Sequence, residues 1–125
     1  MNRAVSITAA GCLLASGAIH LWLAPEHIEE MPYIGWLFVA GGLALLVVAA
    51  AVWAGDRLTA WRAGAVLCAI MVAALVASRT VGLPGGYLEE WDPAAVWSLT
   101  IETAFLGLYL IRRQLVASTG KAVRR

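Results

Sequence analysis

Three ionisable side chains lie within long apolar stretches of this sequence: His20, Arg79 and Glu102. A charged group at the centre of a membrane-spanning helix costs roughly 2.5–3.5 kcal/mol on insertion scales, so such groups usually face a cavity, a partner or water. Ser98, Glu102 and Tyr109 are spaced i, i+4 and i+11, which places them within about 40° on one face of a helix. We therefore predict an outward-opening pocket lined by His20, Arg79 and Glu102, with Ser98 and Tyr109 as further ligand-binding candidates.

The combination of Arg79 and Glu102 allows more than one interpretation. The guanidinium and the carboxylate could form an ion pair that only fixes the register of two helices, a role that buried pairs sometimes have. The same pair could instead border a site for a small ligand, a proton or an ion, or could be covered by a partner subunit. The sequence contains no nucleophile–base pair and no cofactor motif, so it predicts neither an enzymatic activity nor a cofactor.

A metal site is a separate hypothesis for the two histidines. Imidazole and carboxylate groups are common ligands of divalent cations and of copper, and His20, His27 and a carboxylate such as Glu30 or Glu102 offer such a set. The two histidines are seven residues apart and would share a helical face if the helix continued between them. Pro25 lies in that interval and predicts that the helix ends there, which would place His27 in a loop.

The composition is that of a membrane protein and not of a soluble domain. Of the 125 residues, 62% are hydrophobic and 14% charged, and the mean hydropathy is +0.80, whereas soluble domains carry about 25% charged residues. The net charge of +1 argues against a nucleic-acid partner, which would require a clustered basic face. Cys12 and Cys68 lie in apolar segments without a CxxC motif, so no redox or zinc site is indicated for them.

Four segments are long enough to cross a lipid bilayer, which takes about 20 mostly apolar residues per helix. We predict a single domain over residues 1–125 with spans at about 4–24, 33–54, 63–83 and 94–111. Asp92, which precedes Pro93, is a suitable N-cap for the fourth helix. The predicted fold is therefore an all-α, integral membrane four-helix bundle.

The charged residues are divided unequally between the two ends of these helices. Eight of the nine Lys and Arg residues fall at the two termini and in the loop between helices two and three: Arg3, Arg57, Arg62, Arg112, Arg113, Lys121, Arg124 and Arg125. The opposite side carries Glu26, Glu29, Glu30, Glu89, Glu90 and Asp92. Because Lys and Arg collect in the cytoplasm, we predict a multi-pass protein of the inner (plasma) membrane with both termini cytoplasmic.

Two acidic turns of similar sequence connect the helices on the predicted outer side. HIEEMPYIGW (27–36) is followed sixty residues later by YLEEWDPAAVW (87–97). When Pro32 is aligned with Pro93, Trp36 coincides with Trp97. This pattern favours two pseudo-repeated helical hairpins, related by an axis along the membrane normal. Two unrelated hairpins would give a similar pattern if each used Pro to start a helix and kept its acids outside.

Three strings carry a resemblance to other proteins: IHLWLAPEH (19–27), GWLFVAGG (35–42) and SRTVGLPGG (78–86). Together they resemble a group of small four-helix membrane proteins encoded in GC-rich bacterial genomes. The resemblance covers the outer halves of helices one to three and both outer turns. It implies the same topology and no activity. It marks six residues as worth testing by mutation: His20, Pro25, Arg79, Gly82, Pro84 and Glu102.

The leading functional hypothesis is a small non-enzymatic membrane protein that binds a small ligand or ion in its outward-facing pocket. One alternative is an accessory or assembly subunit of a larger membrane complex. Another is a transporter in which Glu102 carries protons. A four-helix transporter of this size would have to form a homodimer to enclose a pathway.

Overall fold

The structure is a computed structural model that describes residues 3–55 and 57–124. These residues form four helices, α1 (Arg3–Glu30), α2 (Pro32–Ala54), α3 (Leu58–Ser78) and α4 (Pro93–Arg124). The described residues contain no strand, and their one extended pairing is an isolated bridge between Leu83 and Tyr87. The prediction of an all-α chain with four helices is confirmed. All four helices are long and apolar enough to cross a membrane. Arg125, which was counted among the basic residues, lies outside the described ranges.

The helices pack as a ring in which each contacts its neighbours in the order α1, α2, α3, α4 and back to α1. At one end the Arg3 guanidinium donates a 2.8 Å hydrogen bond to the Trp53 carbonyl, so the start of α1 lies beside the end of α2. At the other end His27 of α1 meets Glu89, which precedes α4. Consecutive helices are therefore antiparallel. We call the end that carries Glu26, Glu29, Glu30, Glu89, Glu90 and Asp92 the acidic end.

The hydrophobic core lies in the half of the bundle away from the acidic end. Trp61 and Phe105 are fully buried there, with their rings stacked at 5.5 Å between centroids, and Leu13 and Leu45 pack around them. The outer surface is also apolar, since Trp22 is 78% exposed and Val47 is 70% exposed. A protein surrounded by water rarely exposes so much apolar surface, and surfaces of this kind mark contact with lipid or protein.

The α1–α2 hairpin is the most closely packed part of the structure, and glycines permit the approach. A Cβ atom on Gly17 would lie 3.0 Å from the Gly42 carbonyl oxygen. A Cβ on Gly35 would lie 2.3 Å from the backbone nitrogen of Ile28, closer than two such atoms can come. The hairpin turn consists of Met31 alone, whose carbonyl accepts the amide protons of Ile34 and Gly35.

The predicted end of helix one at Pro25 is wrong, because α1 continues through this residue to Glu30. Proline removes the hydrogen bond that its missing N–H would have donated to the Leu21 carbonyl, and its ring crowds that carbonyl. Helices of membrane proteins nevertheless tolerate such a proline. The final turns of α1 are stabilised by packing, since Ile28 contacts Gly35 and His27 is buried. His20 and His27 therefore lie on one face of one helix.

The second half of the chain departs from the predicted spans at three points. Helix α3 begins at Leu58, five residues before the predicted start at 63. Helix α3 ends at Ser78, five residues earlier than predicted, so Arg79 caps the helix and does not lie within it. Helix α4 begins as expected, with the Ala95 amide donating a 2.7 Å hydrogen bond to the Asp92 side chain. It then runs to Arg124, well beyond the predicted boundary at residue 111.

Candidate ligand-binding cavity

A cavity of about 610 Å³ opens at the acidic end of the bundle, between all four helices and the loop of residues 79–92. Its volume is within the range of about 300–1,000 Å³ that is usual for small-molecule sites. The lining is largely apolar, with Ile19, Leu23, Phe38, Leu67 and Met71 among its walls. The ionisable groups that line it are His20, Glu26, His27, Glu30, Arg79, Tyr87, Glu89, Glu90, Asp92 and Glu102.

Arg79 is at the centre of an ion-pair network beside the cavity mouth. Its Nη2 lies 2.9 Å from Glu89 Oε2 and 3.8 Å from Asp92 Oδ2, and only 7% of the Arg79 side chain is exposed. Its Nη1 donates to the Ser78 hydroxyl at 2.7 Å, and that hydroxyl donates to the Leu75 carbonyl. Arg79 thereby attaches the loop of residues 79–92 to the end of α3.

The path of that loop depends on two further contacts. Leu83 and Tyr87 exchange backbone hydrogen bonds across a tight turn, and Gly85 and Gly86 within it have φ of +89° and +77°, a region that suits glycine. The Tyr33 hydroxyl donates to the Pro84 carbonyl and so connects the loop to α2. These contacts position the Tyr87 and Glu89 side chains over the cavity.

His27 is buried and its ring orientation is fixed. Its Nδ1 lies 2.9 Å from the Leu23 carbonyl oxygen, which can only accept a hydrogen bond, so Nδ1 carries a proton. Its Nε2 points to Glu89 Oε1 at 3.4 Å. The ring stacks on Phe38 with 4.3 Å between centroids. His27 therefore presents one nitrogen to the acidic groups at the mouth.

His20 repeats this arrangement two turns deeper in the cavity. Its Nδ1 lies 2.7 Å from the Ser16 carbonyl oxygen and must donate a proton to it, which leaves Nε2 as the second functional atom. The His20 ring lies near the same phenylalanine, with 5.0 Å between the centroids of His20 and Phe38. One aromatic ring thus contacts both histidines.

Glu102 lies on the inner wall of the cavity, on α4. At about 1.5 Å per residue, its nine-residue separation from Pro93 places it about 13 Å below the start of α4. The residue is 1% exposed, and its Oε2 has no hydrogen-bond partner among the described residues. Ser98, one turn above it, is also buried and lines the same wall. A buried carboxyl oxygen without a partner is costly, typically by about 1–3 kcal/mol.

Tyr87 covers part of the cavity from the loop. It is 7% exposed and its ring lies 6.2 Å from that of His27, centroid to centroid. Burial is the main cause that raises the pKa of Tyr87 above its ordinary value, and the nearby Glu89 carboxylate adds to the effect. The phenol therefore stays protonated and can act as a neutral hydrogen-bond donor.

The structure brings together most of the residues that the sequence singled out, with different partners. His20, Arg79, Ser98 and Glu102 all line the cavity, whereas Tyr109 packs against the hydrophobic core. The Arg79–Glu102 ion pair is not found among residues 3–55 and 57–124, in which Arg79 pairs with Glu89 and Asp92 instead.

The metal-ligand set also differs from the predicted one. His27 and Glu30 lie close together, but the third ligating group within 4.8 Å of both is Glu89 and not His20. The reason is the continuation of α1 through Pro25, which keeps His27 on the cavity side of the helix and places His20 two turns below it.

Sequence reasoning missed the roles of Phe38, Tyr87 and Glu89. The charge pattern predicts only that Glu89 lies on the acidic side of the helices, and no sequence pattern connects either aromatic residue with the site. A signal was present for the loop, since the run GLPGG before Tyr87 indicates a tight turn that could fold back over the helices. No comparable signal distinguishes Phe38 from the other apolar residues of α2.

No protein-family model, curated protein sequence or solved structure matches this chain. The resemblance to small four-helix bacterial membrane proteins therefore stays a prediction.

Proposed function

We propose that this chain is a small polytopic membrane protein whose cavity binds a small amphipathic cation, such as an aryl-alkyl amine. The observation that carries the proposal is the buried Glu102 carboxyl, which presents an oxygen without a hydrogen-bond partner to the wall of a 610 Å³ cavity. An ammonium group supplies both a countercharge and a hydrogen-bond donor to such an oxygen.

The charges around the cavity favour a cation. Six carboxyl groups line it, those of Glu26, Glu30, Glu89, Glu90, Asp92 and Glu102, against the single guanidinium of Arg79. A cleft with low-dielectric walls and one dominant sign of charge concentrates ligands of the opposite sign. Phe38, Tyr87 and Trp91 also line the cavity and provide aromatic faces that attract organic cations.

The apolar walls favour a ligand with a hydrophobic part. Leu23, Leu67 and Met71 extend from the mouth toward the depth of Glu102. An aryl-alkyl chain there would bury apolar surface at about 25 cal/mol per Å². A small inorganic cation would leave this surface without a function. The proposed ligand therefore combines a charged amine with an apolar body.

The binding test uses calorimetric titration of the detergent-purified protein with phenylbutylamine, and with the neutral analogue phenylbutanol for comparison. We expect the amine to bind in a 1:1 ratio and the alcohol to bind at least tenfold more weakly. In the Glu102→Gln variant the amine should lose about 10- to 150-fold in affinity, which corresponds to a charge-assisted hydrogen bond of roughly 1.5–3 kcal/mol.

The matched control for this test is Glu29→Gln, which removes an exposed carboxylate of the acidic end that does not line the cavity. Its amine affinity should equal that of the unmodified protein. Equal binding of amine and alcohol, or equal losses in Glu102→Gln and Glu29→Gln, would contradict the proposal.

The same proposal places the acidic end outside the cytoplasm and both termini inside. It is supported by the concentration of basic residues at the opposite end, together with the preference of Lys and Arg for the cytoplasmic side. The sequence-based alternatives of an accessory subunit and of a dimeric proton-coupled transporter stay predictions.

Cysteine labelling of intact bacterial cells tests the orientation. In a background in which Cys12 and Cys68 are replaced by Ala, Glu29→Cys should react with a membrane-impermeant maleimide. Thr119→Cys should react only after the cells are permeabilised, because it lies on the exposed basic-end extension of α4. The reverse labelling pattern would show that the protein is inserted the other way round.

A further inference from the structure

We infer that the mouth of the cavity contains a binding site for a first-row divalent metal ion, formed by His27 Nε2 and carboxylate oxygens of Glu30 and Glu89. One ligating atom from each of these residues lies within 4.8 Å of the other two. The inference goes beyond the proposed amine site, because it concerns different residues at the mouth, whereas Glu102 lies on the inner wall.

His27 is oriented as a metal-ligating histidine would be. Metal-bound imidazoles commonly donate their other N–H to a backbone carbonyl or carboxylate, which fixes the tautomer and the ring plane. His27 Nδ1 donates to the Leu23 carbonyl at 2.9 Å, so the lone pair of the neutral ring is on Nε2. The residue is 7% exposed, and its Nε2 lies 3.4 Å from Glu89 Oε1.

The spacing of the buried His27 and the half-buried Glu89 fits tetrahedral coordination. His27 Nε2 and Glu89 Oε1 are 3.4 Å apart. Ligand atoms that each lie about 2.1 Å from a tetrahedral zinc ion are separated by about 3.4 Å from one another. Glu30 is exposed at the end of α1, so its side chain can rotate to complete the set.

The charge balance at the mouth also calls for a cation. The carboxylates of Glu30 and Glu89 converge beside the His27 ring, and the two negative charges repel each other. Arg79 compensates only part of this charge, because it binds Glu89 through Oε2 and leaves Oε1 facing His27. A divalent ion between the three groups would turn this repulsion into coordination, with Arg79 holding Glu89 in place.

The donor set selects the class of metal. One imidazole and two carboxylates suit Zn²⁺ or Mn²⁺ better than Ca²⁺, which prefers six to eight oxygen ligands, or Mg²⁺, which keeps several waters. Three protein ligands leave at least one coordination position for water or a ligand from the cavity.

The experiment is equilibrium dialysis of chelator-treated, detergent-purified protein against Zn²⁺, and separately against Mn²⁺, Ca²⁺ and Mg²⁺, with the bound metal measured by mass spectrometry. We expect one Zn²⁺ or Mn²⁺ per chain and at least tenfold weaker retention of Ca²⁺ and Mg²⁺. The Glu30→Gln variant should bind the retained metal at least tenfold more weakly, and His27→Gln should lose it.

Glu29→Gln is the matched control, because it removes the neighbouring exposed carboxylate, which does not belong to the cluster. It should bind metal as the unmodified protein does. Equal losses in Glu29→Gln and Glu30→Gln, or no stoichiometric binding of any of the four ions, would overturn the inference and leave His27 as an imidazolium paired with Glu89. Metal binding should persist in Glu102→Gln, so failure of the amine site and failure of the metal site are distinguishable.

Discussion

Replacing Arg79 by Met should lower the free energy of unfolding by about 3 kcal/mol, the lower end of the range for breaking a buried ion pair. The variant leaves the Glu89 carboxylate without its cation, and only 21% of that side chain is exposed. It also removes the contact with Asp92 and the hydrogen bond to the Ser78 hydroxyl. We place the effect at the lower end because Glu89 retains some access to solvent. The free energy of unfolding is measured by denaturant titration of the chelator-treated protein in detergent, with circular dichroism as the signal.

A double-mutant cycle identifies the cause of this loss. If the penalty comes from an uncompensated charge, adding Glu89→Gln to Arg79→Met should restore a large part of the stability, since the double variant buries neither charge. Arg79→Lys should be intermediate, because lysine keeps the charge but cannot contact Glu89 and Ser78 through one planar fork. If the two single losses simply add in the double variant, the ion pair is not what stabilises the loop.

Replacing Gly35 by Ala should destabilise the protein by a similar amount, about 3 kcal/mol, at the upper end of the usual cost of overpacking. The added Cβ would lie 2.2 Å from the Ile28 side chain and 2.3 Å from its backbone nitrogen. The backbone cannot easily move away, because Met31 alone connects α1 to α2. Thermal unfolding in detergent should show a clearly lowered midpoint.

Gly11→Ala is the control for this prediction. Gly11 lies inside α1, and nothing lies within 4 Å of the position that its Cβ would occupy. Alanine is better than glycine in a helix interior by roughly 1 kcal/mol, so this variant should be as stable as the unmodified protein or more stable. Similar losses at both positions would show that the tight approach of α1 and α2 is not what requires Gly35.

The sequence was sufficient to predict the helices because their signals are local. Long apolar runs defined four helices, and Asp92 before Pro93 marked the start of the fourth, where its side chain does cap the helix. The helix end predicted at Pro25 is wrong because tertiary contacts offset the local cost of proline, namely those of Ile28 with Gly35 and of His27 with Phe38. The sequence shows the cost of a proline within a helix, but it does not show the tertiary contacts that offset this cost.

The partners within the site were not predictable for the same reason. Which carboxylate reaches Arg79 depends on the course of residues 79–92, where the Glu89 amide bonds to the Ser78 carbonyl at 2.8 Å. Helical spacing correctly predicted that Ser98 and Glu102 share a face of α4. It does not show how far along that face the cavity extends. Tyr109 follows that face beyond Phe105, where the core is filled and the cavity has ended.

Phe38 lies between the mouth of the cavity and its inner part and contacts a histidine in each. Its ring contacts His27 at the mouth and His20 two turns below, so an occupant that rotates this ring must disturb both imidazoles. If the proposed ion site and the proposed amine site both stabilise one orientation of this ring, the two sites are coupled, and each changes the affinity of the other by the same factor. The affinity for an ion at the mouth and the affinity for an organic molecule at the inner wall are then not independent properties of this protein.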